Sequence, residues 1–266
     1  MSVVLELDEL GRQFGSFTAV DDISLTVEAG ELFGLLGPNG AGKSTTIKML
    51  TTLLPPSHGT AKIADFDIVR QAADVRRVIG YVPQALSADG NLTGYENLMI
   101  FAKLYDLPRH GRADRVHRAL SFMGLEDASN KLVKAYSGGM IRKLEVGQAL
   151  LHGPRVLFLD EPTVGLDPVA RKAVWEHLSA LRERLGMTIF LTTHYMEEAD
   201  VLCQRVAIMH KGHIAALGSP QELKDSIGGD EVTLDDVFAH YTGDELESGG
   251  SYRDASRTRR TARRLG

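Results

Sequence analysis

Gly37-Pro38-Asn39-Gly40-Ala41-Gly42-Lys43-Ser44 fits the pattern G-x-x-x-x-G-K-[ST] and lies between an apolar run, Leu32 to Leu36, and a helix-like stretch, Thr45 to Leu54. A strand, a glycine-rich loop and a helix in that order form the setting of a phosphate-binding loop. Glycine permits the backbone to turn its N–H groups towards an anion, and the helix that follows aims its positive end at the same place. The pattern assigns Gly37, Pro38, Asn39, Gly40, Ala41, Gly42, Lys43, Ser44 and Thr45 to the phosphates. Lys43 reaches for the β- and γ-phosphates and Ser44 offers a hydroxyl to Mg²⁺.

Val156 to Leu159 is a continuous apolar run, the pattern of a strand buried on both faces, and it ends in Asp160-Glu161-Pro162. Carboxylates at the carboxyl end of such a strand stand where open α/β sheets place their ligands. Asp160 is therefore a candidate Mg²⁺ ligand, and Glu161 a candidate base for the attacking water.

Tyr136-Ser137-Gly138-Gly139-Met140, about twenty residues before the carboxylate strand, resembles the signature motif of ATP-binding cassette (ABC) ATPases. Other elements follow in that family's order. Gln84 after Tyr81-Val82-Pro83 resembles the Q-loop, Val164-Gly165-Leu166-Asp167 the D-loop, and Thr192-Thr193-His194 the switch histidine. Phe14 stands at the place of the adenine-stacking aromatic, with Phe17 a weaker candidate.

The resemblance runs from about Val3 to Thr242 and implies a fold: α/β, with a RecA-like parallel-sheet core, an antiparallel β subdomain and a helical subdomain. It also implies two nucleotide-binding subunits, most simply a homodimer, closing head to tail over two ATP molecules. Ser137, Gly138 and Gly139 of one copy would then face the γ-phosphate held by the other, with Asp167 beside them. Glu161, His194 and Gln84 become the catalytic set, and Ser44, Gln84 and Asp160 the Mg²⁺ set. A separate membrane permease is the implied partner, which puts the chain on the cytoplasmic face of the cell membrane. Tyr136 and Met140, in place of the commoner leucine and glutamine, together with Thr192 to Asp200 and Leu234-Asp235-Asp236-Val237-Phe238, are similar to the ABC-2 type drug exporters of the daunorubicin/doxorubicin-resistance group.

The domain reading follows: an ATPase domain over 3–247 with a helical insert over about 86–151, a C-terminal extension over about 226–247, and a basic tail, 248–266. Thr93-Gly94-Tyr95-Glu96 reads as a capping box that opens the helical insert. Asp167-Pro168 and Ser219-Pro220-Gln221-Glu222 read as helix starts, and Lys211-Gly212 as a hairpin turn between Arg205–His210 and Ile214–Leu217. Val3–Leu7, Ala19–Val27, Thr60–Ile63, Val78–Val82 and Thr188–Leu191 read as further strands.

The whole chain of 266 residues has a formal charge of −5 and 43% hydrophobic residues, enough for a large core. No apolar run approaches the ~18 residues of a membrane span. The N-terminus lacks a basic-then-apolar leader, and the one cysteine, Cys203, excludes an internal disulfide. The tail carries Arg253, Arg257, Arg259, Arg260, Arg263 and Arg264 against Asp254 and cannot bury enough surface to order itself; contact with anionic lipid is its functional alternative. The acidic body speaks against nucleic acid as a partner. His210 and His213 lack further ligands at metal spacing and read as strand-end polar residues, so Mg²⁺ is the one metal expected. The short stretch between Ser44 and Ser137, with no second phosphate loop, disfavours a DNA- or ribosome-directed ABC ATPase. An ordinary GTPase is excluded because Asn130-Lys131-Leu132-Val133 lacks the guanine-reading aspartate. The remaining reading is the ATPase subunit of an exporter of an amphipathic drug, with lipid or polysaccharide cargo as the alternative.

Overall fold

In the computed structural model, residues 2–229 and 231–243 are described. The basic tail, 248–266, and the end of the expected ATPase domain therefore lie outside the described residues. Two sheets organise the rest. The first is antiparallel, with strand order β2-β1-β4-β5, built from β1 (Val3–Phe14), β2 (Phe17–Glu28), β4 (His58–Ile63) and β5 (Phe66–Asp67). The second has the order β10-β9-β3-β8-β7-β6, from β3 (Leu32–Leu36), β6 (Ile79–Val82), β7 (Val156–Asp160), β8 (Thr188–Thr193), β9 (Arg205–His210) and β10 (His213–Gly218). All of its pairings are parallel except the β9–β10 hairpin.

Alternation along the central strands sorts side chains into two cores, as a strand's period of two requires. Leu32, Leu36, Leu157, Leu159, Ile189 and Leu191 face one core, shared with the helices α3 (Gly94–Leu104), α4 (Arg112–Phe122) and α5 (Gly138–Leu150). Phe33, Leu35, Val156, Phe158 and Phe190 face the other, against the antiparallel sheet and α1 (Lys43–Leu50). There Phe190 lies 5.4 Å from Phe33 and 5.6 Å from Phe158, ring centre to ring centre. An α2 helix (Ala72–Val78) leads into β6, and α6 (Pro168–Leu185), α7 (Met196–Leu202), α8 (Pro220–Ile227) and α9 (Leu234–Thr242) complete the chain.

Local chemistry starts the helices where the sequence predicts. Thr93 and Ser219 form full capping boxes with Glu96 and Glu222. Asp167 caps α6 through Val169 N and Ala170 N, both at 2.9 Å, with Pro168 at the first helical position. β1 runs well beyond the expected Leu7. A bulge at Glu9, whose φ is 47° and whose amide donates to Ser24 Oγ, breaks the alternation on which the shorter reading relied. Thr233 adds a capping box for α9 that the sequence reading did not single out.

Helix α5 meets the sheet at Gly80, where a Cβ would come within 2.5 Å of the Ala149 carbonyl oxygen. The oxygen belongs to backbone and a Cβ is fixed by its own backbone, so neither can rotate away. Gly80→Ala is expected to cost about 1–3 kcal/mol by overpacking, read as a lower urea midpoint with an unchanged m-value.

Candidate functional site

β3, β8 and β7 run parallel in a register that brings Leu36 beside Thr193 and Asp160 beside Thr192. The strand ends therefore deliver the phosphate loop, the residues before His194 and the carboxylate pair to one edge. A cavity of about 230 Å³ opens there, lined by Pro38, Asn39, Gly40, Ala41, Gly42, Lys43, Ser44, Thr45, Gln84 and Glu161, with Phe17 and Ala19 at the side. Gly42, at φ 111°, is the left-handed entry to α1, and a Cβ there would meet Ala19 O at 2.5 Å. No L side chain fits that position.

Glu161 is the centre of the cluster. Its own φ is 48°, a strained value for a non-glycine residue, and its amide donates to Thr192 Oγ1 at 3.0 Å. Lys43 Nζ lies 3.1 Å from Oε1, Gln84 Nε2 donates to Oε2 at 3.1 Å, and His194 Nδ1 is 3.3 Å from Oε2. Burial opposes the charge of Glu161, but His194 and the Lys43 ammonium outweigh it and hold the carboxyl below its ordinary value. Burial lowers the pKa of Lys43, while Glu161 and Asp160 pull it back up. Lys43 also donates to Gly37 O at 2.7 Å and Pro38 O at 3.1 Å, so its ammonium is folded onto its own loop.

Asp160 Oδ1 accepts from Ser44 Oγ at 3.1 Å and from Thr192 Oγ1 at 2.6 Å. The Ser44 hydroxyl, the Asp160 carboxylate and the nearby Gln84 amide make an oxygen-rich group suited to a hard cation such as Mg²⁺. Thr192, which holds both Asp160 and the Glu161 amide, was legible only as the lead-in to His194.

Ser137, Gly138 and Gly139 do not line this cavity. Ser137 caps α5, and a Cβ on Gly138 or Gly139 would meet Leu166 at 2.9 Å or Ala170 at 3.1 Å. The signature residues thus stand with the segment around Asp167, whose carboxylate is engaged in capping α6. Phe14 is also absent from the lining, and the Arg12 guanidinium covers its ring at 4.7 Å. Phe17 lines the cavity because it opens β2, the strand tied to the phosphate loop through Asp21 N to Gly212 O and Gly212 N to Ala41 O.

Behind the cavity, Glu198 is fully buried; its Oε1 accepts from Thr163 Oγ1 and Trp175 Nε1, both at 2.8 Å. It joins α7 to the loop after Glu161 and to α6. Sequence gave no sign of this, since Glu198 falls among the ordinary charges of an amphipathic helix. Arg142 and Glu145 of α5 were likewise unflagged, and both are buried against the loop that carries Gln84. A larger open groove, about 690 Å³, runs between α6 and α7 and is lined by none of the residues predicted for the site.

The profile of the ABC transporter family matches residues 20–164. The linearmycin resistance ATP-binding protein LnrL of Bacillus subtilis is 40% identical over 86% of this chain and 73% of its own length. The daunorubicin/doxorubicin resistance ATP-binding protein DrrA of Streptomyces peucetius is 43% identical over 86% of this chain and 69% of its own. A Nod factor export ATP-binding protein of Cupriavidus metallidurans is 42% identical over 93% and 79%. Among solved structures, an ATP-binding subunit of an ABC transporter superposes with a TM-score of 0.78 at 30% identity, covering 90% of this chain and 99% of that one.

Phe17→Ala is expected to weaken ATP binding by about 1 kcal/mol or more, the scale of an aromatic–base stack, and Phe14→Ala by less; equilibrium titration of both variants with a fluorescent ATP analogue checks the order. Glu198 gives a pH signature. Burial raises its pKa, against the hydroxyls of Thr193 and Thr163, the Trp175 indole and the Arg171 charge. Its contribution to stability is therefore full below about pH 4.3, the unfolded value, and is lost as pH rises through the higher folded value. Relative to Glu198→Gln, the wild type should lose stability over that rise, as read from urea midpoints at successive pH values.

Proposed function

The chain belongs to the ABC transporter family, and from that premise we propose that it is the ATP-hydrolysing subunit of an exporter, driving efflux of an amphipathic drug or antibiotic through a separate membrane subunit. The observation that carries the chemical part is the convergence of Lys43, Gln84 and His194 on the Glu161 carboxylate. A carboxylate held below its ordinary pKa is ionised at neutral pH and can accept the proton of an attacking water. That carboxylate is engaged by Lys43. When phosphates enter the loop they compete for the Lys43 ammonium, which leaves Gly37 O and Pro38 O and frees Glu161 to act as base.

Ser44, Asp160 and Gln84 would hold Mg²⁺, whose charge offsets that of the phosphates when bound. His194, beside Glu161, would donate to the γ-phosphate. Ser137, Gly138 and Gly139 stand apart from the cavity at the start of α5, where Ser137 and Gly138 are exposed and would face a second copy of the chain while Gly139 is buried. Helix N–H groups facing an anion across that interface complete a site that neither copy has alone. Closure then controls turnover, because phosphoryl transfer depends on positioning and charge compensation. No helix among the described residues is long and apolar enough to cross a membrane; membership of the family is what supports a separate permease and a peripheral position on the membrane's cytoplasmic face.

The cargo rests on the relatives. Two carry resistance to linearmycin and to daunorubicin/doxorubicin in their names. A relative of equal similarity is named for Nod factor export, which keeps a cargo other than a drug, such as a lipid or a polysaccharide, as the second reading.

Glu161→Gln is expected to bind ATP with little change in affinity while steady-state hydrolysis falls by about 100-fold or more. With ATP it should also sediment as a dimer, because the charge that repels the γ-phosphate is gone. In cells that express the chain with its permease, the same variant should abolish drug efflux. Undiminished hydrolysis would remove Glu161 from this role, and intact efflux alongside lost hydrolysis would break the link to transport.

A further inference from the structure

The loop from Pro83 to Leu92, between β6 and α3, carries Gln84 and has little apolar anchorage: Ala85 and Ser87 are exposed, and Leu86 is 55% exposed. Its first half is nevertheless held by two side chains from one turn of α5, while Gly90 O and Leu92 O in its second half accept from Lys134 N and Val133 N. Arg142, 2% exposed, donates through Nη1 to Pro83 O at 2.8 Å and through Nη2 to Gln84 O at 2.9 Å. The same Nη1 reaches Glu145 Oε2 at 3.1 Å. Glu145, also 2% exposed, accepts on Oε1 from the Ser87 amide, from Ser87 Oγ at 3.1 Å and from the Ala88 amide at 3.3 Å. One guanidinium thus takes the carbonyls where the loop enters, and one carboxylate takes the amides where it turns back. Asn97 of α3 closes the far end, accepting from Asp89 N and donating to Asp89 O.

From this geometry we infer that Arg142 and Glu145 are positioning residues for hydrolysis: they lock the Gln84 loop to α5 so that the Gln84 amide is held at Glu161. A buried ion pair is a poor source of stability, because desolvating both charges offsets most of their attraction. What a planar guanidinium supplies that an apolar pair does not is direction, with two parallel donors aimed at successive carbonyls. The carbonyl of Gln84 itself is one of the two, so the clamp sets the backbone from which the side chain reaches 3.1 Å to Oε2. Because Ser137, Gly138 and Gly139 begin the same helix, the loop and the signature residues are fixed to one body. A displacement imposed on Gln84 is carried to the start of α5 without relying on apolar packing of the loop.

The inference rests on the roles proposed above for Gln84 and Glu161, and a double-mutant cycle separates the two. The paired replacement of Arg142→Met with Glu145→Leu keeps volume and removes both charges, and Arg142→Lys keeps charge but loses the fork. Each is made alone and with Gln84→Ala, and the full chain is assayed for ATP affinity, kcat, KM, thermal midpoint and hydrogen exchange of the 84–90 amides. The paired variant should unfold cooperatively and bind ATP within about twofold of wild type, while kcat falls about 10-fold or more, the scale of a small misplacement in a positioned site. The Ser87 and Ala88 amides should exchange faster, Arg142→Lys should lie between, and in the Gln84→Ala background neither change should lower kcat further.

Equal fold-losses in the two backgrounds would overturn the inference, as would unchanged exchange at Ser87 and Ala88. If Gln84→Ala alone leaves kcat untouched, the role of Gln84 fails and the clamp's function fails with it. If Gln84→Ala lowers kcat but the losses multiply, the reading of Gln84 stands and only the clamp is rejected.

Discussion

The parallel register of β3, β8 and β7 is the constraint from which the rest follows. It aligns Leu36 with Thr193 and Asp160 with Thr192, so a loop, a histidine and two carboxylates that are far apart in sequence end at one edge. Parallel strands buried on both faces hold such a register firmly, because a slip by one residue would exchange the leucines of one core for the phenylalanines of the other. Thr192 then converts register into chemistry. Its hydroxyl donates to Asp160 and accepts from the Glu161 amide, holding the peptide between the two carboxylates while Glu161 takes its left-handed turn towards Lys43.

How much of this could be read beforehand depended on whether the deciding interaction was local. The phosphate loop, the Thr93 and Ser219 capping boxes and the Asp167-Pro168 helix start each need only neighbours in sequence, and each is present in the fold. The buried strands at Leu32 and Val156 were legible because burial on both faces leaves an unbroken apolar run. β1 beyond Leu7 was not, since the bulge at Glu9 breaks the alternation by which a strand is recognised. The seven-residue α2 is too short to display a helical period.

Tertiary burial of charge was the larger blind spot. Arg142, Glu145 and Glu198 sit in helices at positions that a sequence assigns to solvent, yet all three are buried because each meets backbone or polar groups brought in by another element. The aromatic at the cavity shows the same limit. Phe14 and Phe17 are cross-strand partners at the tip of one hairpin, and only the tie between β2 and the phosphate loop brings Phe17 to the lining. Position in a motif fixed the neighbourhood of that ring and left the choice between two phenylalanines to the tertiary contacts.

These buried polar groups also show how the polar side chains of the site hold one another in place. Lys43 is occupied by its own loop and by Glu161, Gln84 and His194 also face Glu161, and the signature residues face Leu166 and Ala170 rather than the cavity. The contacts of Lys43 and Gln84 satisfy groups that would be costly to leave bare in a partly buried setting. In the proposed mechanism, an anion entering the loop would have to compete with these contacts for the Lys43 ammonium. A second helix start brought over that anion would add further N–H donors. Activation by assembly, as proposed, would then require only that the internal partners of Lys43 be weaker ligands than a bound triphosphate facing a second subunit.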